Sequence, residues 1–215
     1  MNLILLGPPG AGKGTQAKFI CKKYDIPHIS TGEMFRKNIA EKTYLGMLVK
    51  EYTDKGNLVP DHITIKIVDE RIRETDCKKG FLLDGFPRTI TQAEALDTLL
   101  KKYNLVINRV LFIAVSNEVV IERNVGRRVC SSCGASFHIR FNPSRLLNKC
   151  DYCLGELTQR EDDTISALNN RLAVYKLQTK PLIAYYRSNK LLSKIDGACS
   201  AEIVFQNIET ALGHY

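Results

Sequence analysis

Residues 7–15 read Gly-Pro-Pro-Gly-Ala-Gly-Lys-Gly-Thr, directly after the apolar run Asn2–Leu6 and directly before a stretch, 13–24, with apolar residues at three- and four-residue spacing. A buried strand, a glycine-rich turn and a helix in that order form the context of a phosphate-binding loop, which constrains the chain to alternating β and α elements around a parallel sheet. The backbone N–H groups around Gly10, Ala11, Gly12, Gly14 and Thr15 would approach phosphate oxygens, the helix N-terminus adds partial positive charge, and Lys13 supplies a mobile full charge. The loop departs from the common form at one place. The residue after the lysine, where a hydroxyl usually ligates magnesium, is Gly14, and Thr15 comes one position late. A magnesium ion brought in with a nucleotide is therefore expected to be held mainly by nucleotide oxygens and waters, with Asp84, at the end of the apolar run Phe81–Leu83, suited to orienting those waters. The plainer alternative for Asp84 is that it caps the next turn.

Further short apolar runs at 26–29, 110–115 and 192–195 predict the remaining parallel strands, and helical spacing covers 62–74, 91–103, 118–125, 166–188 and 201–212. Two stretches break the alternation. Residues 31–59 read as helices without a strand, and residues 126–163 are rich in Cys, Gly, Asn and Arg, so each reads as an insertion on the sheet's edge. With 44% apolar residues in 215, one core is affordable, and no apolar run approaches the roughly 20 residues of a membrane span. The expectation is an intracellular, cytoplasmic protein without membrane association. A net charge of +8 is compatible with nucleic acid, but there is no basic run interleaved with aromatics; the arginines stand in short motifs beside Gly, Asp or Pro, which favours discrete phosphate sites.

Three stretches, GPPGAGKGT at 7–15, STGEMFR at 30–36 and DGFPRTITQ at 84–92, together resemble the signatures of the adenylate kinase family, and VGRR (125–128), RFNP (140–143), QREDD (159–163) and IDG (195–197) follow in that family's order. The resemblance covers nearly the whole chain, and the shifted threonine is the family's own variant of the loop. It implies an α/β phosphate-loop nucleoside monophosphate kinase fold. A five-stranded parallel core (1–29, 60–125 and 164–215) would carry a nucleoside-monophosphate-binding insertion at 30–59 and a lid at 126–163. It implies transfer of the terminal phosphoryl group of Mg-ATP to AMP, giving two ADP; with no coiled-coil heptads in the sequence, and because an enzyme that opens and closes around two substrates works well alone, a monomer is expected.

By resemblance, Arg36 and Arg88 would fork onto the AMP phosphate, Arg123 and Arg127 serve ATP, and Arg160 and Arg171 bridge the reacting groups, with Asp162 and Asp163 pairing with arginines as the lid shuts. Thr31, Gly32, Asn57, Leu58, Val59, Gly85, Phe86, Pro87 and Gln92 would surround AMP, while Ser136 and Phe137 would contact ATP and the backbone at Cys199 would lie near the ATP base. Thr31 favours adenine over pyrimidine acceptors, unless it only caps the next helix.

Cys130-x2-Cys133, sixteen residues, then Cys150-x2-Cys153 is the spacing of a tetrahedral four-cysteine zinc site, structural because it has no open position. Free thiols, iron or disulfides are the alternatives. Residues 164–170 lack the acids the family usually carries there, which predicts an altered lid equilibrium, and Cys199 leaves the choice between ATP and GTP open. A GTP:AMP or UMP/CMP phosphotransferase and a zinc-knuckle nucleic-acid-binding switch are the competing functions.

Overall fold

The computed structural model describes residues 1–213. Strand β1 (Asn2–Leu6) leads through the glycine turn into α1 (Lys13–Tyr24) and the edge strand β2 (His28–Ser30). Helices α2 (Thr31–Ala40), α3 (Tyr44–Asp54) and α4 (Asp61–Ile72) precede β3 (Phe81–Asp84), α5 (Ile90–Lys102), β4 (Arg109–Ala114) and α6 (Asn117–Val125). Three short strands follow, β5 (Arg127–Cys130), β6 (Ser136–His138) and β7 (Leu157–Thr158). The chain then closes with α7 (Ile165–Val174), α8 (Leu182–Ser188), β8 (Leu192–Asp196) and α9 (Ala201–Leu212).

Five strands form one parallel sheet in the order β2-β3-β1-β4-β8. Every residue of β1 and β3 is buried, as strands covered on both faces must be. Because side chains alternate along a strand, β1 feeds two cores. Ile4 and Leu6 join Phe81, Leu83 and Val110 under α4, α5 and α8. Leu3 and Leu5 join Leu82, Leu111 and Ile113 under α1 and α9. From β1 the chain steps first to one side, to β2 and β3, and later to the other, to β4 and β8. The loops after β1, β3 and β4 therefore open a crevice at the carboxyl ends of the strands, the usual ligand position in such sheets.

The expected core elements are present, with local differences. β2 begins at His28, two residues late, because Pro27 has no N–H for the ladder; its carbonyl instead accepts from Leu82 N at 3.0 Å. The helical stretch 166–188 divides into α7, a π turn at Tyr175–Thr179 and α8. Pro181 cannot donate to Leu177, and ahead of it Lys180 N reaches five residues back to Tyr175 O at 2.8 Å. Residues 126–163 contain an antiparallel sheet, β6-β5-β7, whose strands of two to four residues are too short to leave a readable period. Among the described residues no helix is long and apolar enough to cross a membrane.

Candidate active site

The turn after β1 is possible only with glycine. Gly10 and Gly12 adopt φ of 78° and 94°, in the left-handed region, and a methyl group at Gly7 would come within 2.7 Å of Ile113 O. α1 starts behind Gly12 with no side chain capping its first turn, which leaves that positive helix end to an anion. Lys13 folds back over the turn, its Nζ donating to Gly7 O (2.8 Å) and Pro8 O (2.9 Å). Burial, reinforced by the nearby charges of Arg88, Arg171 and Arg127 and opposed by Asp84, lowers its pKa to about 8.

Asp84, at the end of β3, is buried. Burial alone would raise its pKa, but a hydrogen bond from His28 Nε2 (3.3 Å) and the charges of Lys13, His28 and Arg88 hold it below the usual carboxylate range. His28 was not singled out in the sequence; a ring nitrogen inside an otherwise apolar strand is the signal that could have found it.

One cavity of about 710 Å³ runs from Gly7 and Lys13 to α2, α3, α5 and α7. Thr31, Gly32, Arg36, Asn57, Leu58, Val59, Gly85, Pro87, Arg88, Gln92, Arg160, Asp162 and Arg171 all line it, so the residues singled out for the acceptor nucleotide meet in one place. Thr31 is buried and donates through Oγ1 to Gly85 O at 2.9 Å, while the cap of α2 is Ser30, whose Oγ accepts from Glu33 N. The capping alternative for Thr31 thus falls to its neighbour. Gln92 accepts from Arg88 N (2.7 Å) and donates to Asp61 Oδ1 (2.7 Å), and Asp61 also accepts from Thr89 Oγ1 (3.0 Å). Asp61 and Thr179, whose Oγ1 bonds to Arg88 O at 2.9 Å, were not anticipated; both are ordinary polar helix residues in sequence, and only the fold brings them here. Phe86 is buried in the core and does not line the cavity, unlike its neighbours Gly85 and Pro87.

Three further arginines are held by two adjacent carboxylates. Asp162 receives both Arg160 Nε (2.8 Å) and Nη2 (2.6 Å), and Arg171 Nη1 lies 3.0 Å from its Oδ2. Asp163 is clasped by Arg127 through Nε (2.8 Å) and Nη2, and Arg127 Nη2 also reaches Asn124 Oδ1 at 3.1 Å. Arg123 Nη1 donates to Ala11 O at 3.3 Å. Burial lowers Arg36 and Arg171 to about 10. Lys13, Arg36, Arg88, Arg127, Arg160 and Arg171 gather about Asp84, Asp162 and Asp163, with Glu33 acting on Arg36, so cations outnumber carboxylates among these groups in a poorly solvated space. Such an imbalance suits a polyanionic ligand.

In 164–170, Thr164 caps α7 by accepting from Ala167 N. Asn170 Nδ2 donates to Lys55 O (2.6 Å) and Asn57 Oδ1 (3.0 Å), tying α7 to the end of α3. Cys199 is exposed in the turn between β8 and α9. Ser136 is exposed on β6, whereas the Phe137 side chain is buried against Cys130, Ala135 and Cys150.

The four cysteines Cys130, Cys133, Cys150 and Cys153 present their sulfurs within 4.8 Å of one another. The two cross-knuckle separations, 3.4 Å for Cys130–Cys153 and 3.5 Å for Cys133–Cys150, are far too long for disulfides. They lie close to the ~3.8 Å edge of a tetrahedron with metal–sulfur bonds near 2.3 Å. The two knuckles are alike: Cys130 O accepts from Gly134 N and Cys150 O from Leu154 N, each at 3.0 Å. Backbone N–H groups of Cys133 and Ser132 favour the Cys130 thiolate.

A family model described as adenylate kinase matches residues 5–191. The chain is 57% identical over 213 residues to an adenylate kinase of Clostridium kluyveri, covering 99% of this chain and 98% of that protein. It is 57% identical to one of Clostridium botulinum and 56% identical to one of Clostridium tetani, each over 99% of both chains. Sequence similarity along the whole chain and a cation-lined crevice above a parallel sheet lead to the same place: the chain belongs to the adenylate kinase family.

Proposed function

We propose that this protein transfers the terminal phosphoryl group of Mg-ATP to AMP, reversibly, giving two ADP. The observation that carries the reading is the convergence of Lys13, Arg36, Arg88, Arg160 and Arg171 on one cavity that also holds the Thr31–Gln92 pocket. The attacking oxygen is a nucleotide phosphate with a second pKa near 6, already anionic at neutral pH, so no general base is required. What the protein supplies is in-line positioning of two polyanions that repel each other and compensation of charge spreading over the transferred group.

In this reading the turn of Gly10, Ala11, Gly12, Gly14 and Thr15 with Lys13 cradles the ATP phosphates, and Arg123 and Arg127 attend the same nucleotide. Arg36 and Arg88 fork onto the AMP phosphate, and Arg160 and Arg171 span the reacting groups. Guanidinium suits these roles because it pairs bidentately with phosphate and keeps its proton. Asp162 and Asp163 hold the lid-side arginines in place between turnovers. Thr31, Gly32, Gly85, Gln92 and the wall of Asn57, Leu58 and Val59 favour adenine as acceptor. Ser136, Phe137 and the turn at Cys199 lie on the side assigned to the ATP base, where Phe137 would contribute backbone. Magnesium, arriving with ATP, would be held by nucleotide oxygens and by waters oriented by Asp84; it supplies charge neutralisation.

The insertion 30–59 closes over AMP and the lid 126–163 over ATP, both on a core of 1–29, 60–125 and 164–215. Zinc fits the four cysteines, a closed thiolate set without an open position, and its contribution is to the lid's stability. The protein is read as a cytoplasmic monomer acting on small nucleotides, without nucleic acid or membrane.

A transfer matrix on purified protein with magnesium, ATP or GTP against AMP, GMP, CMP and UMP, is expected to show dominant ATP-plus-AMP turnover. GTP preference would move the error to the turn at Cys199, a pyrimidine acceptor to Thr31, and no transfer would contradict the reading. A pH series tests Lys13. Its pKa of about 8 means the free enzyme carries the charge below pH 8 and loses it above. Phosphate binds the charged form, so ATP affinity should be flat from pH 6.5 to 7.5 and then fall by up to about tenfold per pH unit above 8. Affinity unchanged to pH 9.5 would contradict the lowered pKa of Lys13. Elemental analysis is expected to find about one zinc per chain, with chelation or Cys130→Ser lowering the melting temperature. Metal-free protein of unchanged stability would contradict the zinc assignment.

A further inference from the structure

Asn124 is an amide where an apolar side chain would be expected. It lies on α6 one residue after Arg123, is 0% exposed, and neighbours Val120, itself buried against Leu168 and Leu172 of α7. Each polar atom of the amide is engaged. Nδ2 donates to Val120 O at 2.8 Å, and Oδ1 accepts from Arg127 Nη2 at 3.1 Å. A flipped amide would set its NH2 against the guanidinium and its oxygen against a carbonyl, so the neighbours fix its orientation. Arg127 Nη2 carries two protons; one goes to Asn124 and the other to Asp163, whose side chain is 0% exposed. The plane of that guanidinium is thus set jointly by α6 and by the base of the lid.

The same amide lies against the phosphate loop. A methyl group at Gly10 would come within 2.1 Å of Asn124 Nδ2 and 3.1 Å of its Cγ, so the turn and the side chain pack without a gap. We propose that Asn124 is a positioning residue for phosphoryl transfer: its carboxamide packs against Gly10 while it fixes Arg127 on Asp163, so that the phosphate loop and the base of the lid are aligned as one unit. Burying a polar amide is costly unless both ends are satisfied, and here the partners that satisfy it belong to α6 itself and to the arginine assigned to ATP. The inference rests on the reading that Arg127 serves the ATP side.

The test is steady-state kinetics of Asn124→Leu, which removes the acceptor while filling the space, and of Asn124→Ala, which removes it without crowding Gly10. Both are measured alone and in an Arg127→Met background. Each single variant is expected to lower kcat/KM for ATP about tenfold and leave KM for AMP within about twofold. In the Arg127→Met background the further loss should shrink to under about twofold, because fixing Arg127 accounts for most of the effect and only the packing against Gly10 is left. Equal losses toward ATP and AMP, no loss toward ATP, or a full loss persisting without Arg127 would each overturn the proposal. If Asn124→Leu does not fold, Asn124→Ala gives the same readout. Arg127→Met by itself separates the two claims. Unchanged ATP kinetics in that variant would show that the Arg127 reading has failed, whereas a loss there with none in the Asn124 variants would refute the Asn124 proposal alone.

Discussion

A surplus of positive charge in a poorly solvated space is the constraint around which the site is built. Cations crowded together repel one another and lose hydration, and the protein compensates with too few carboxylates to neutralise them. The lowered pKa values of Lys13, Arg36 and Arg171 record that cost, with burial as the largest cause in each. A polyanion entering the cavity relieves it. Interactions of this kind grow as reacting phosphates are pressed together, which is where a phosphoryl transfer enzyme needs them.

The fold supplies the rigidity that such a site demands. β1 is buried on both faces and delivers the glycine turn to the point where the sheet's connections diverge. The cations come from elements of different kinds. Lys13 and Arg88 are anchored to backbone carbonyls near the sheet's carboxyl edge, whereas Arg127, Arg160 and Arg171 hang on Asp162 and Asp163, between the small antiparallel sheet and α7 in the chain. Anchoring to main chain gives a fixed half of the site. Anchoring to carboxylates that phosphate can replace gives an adjustable half.

Much of this was legible in the sequence because it depends on local chemistry. The glycines at 10 and 12 are required by their positive φ, the cysteine spacing by knuckle geometry, and the buried strands by continuous apolar runs. What the sequence hid depends on distance. Asp61 holds Gln92 across 31 positions, His28 reaches Asp84 across 56, and Asn170 reaches the backbone of Lys55 across 115. Asn124 is hidden for another reason: in a helix its type is unremarkable, and only its complete burial against Gly10 and Arg127 shows that it is not a surface residue. The short antiparallel strands β5 to β7 and the π turn before Pro181 escaped because neither leaves a period.

In the proposed transfer, one cavity receives two nucleotides whose phosphates share a single set of cations. Calorimetric titration with one molecule in which a phosphate chain joins two adenosines tests it directly. The account predicts one molecule bound per chain, on the order of a hundredfold tighter than ATP or AMP alone, because the second nucleotide binds as part of the first. Affinity no greater than that of ATP, or two such molecules bound per chain, would contradict it.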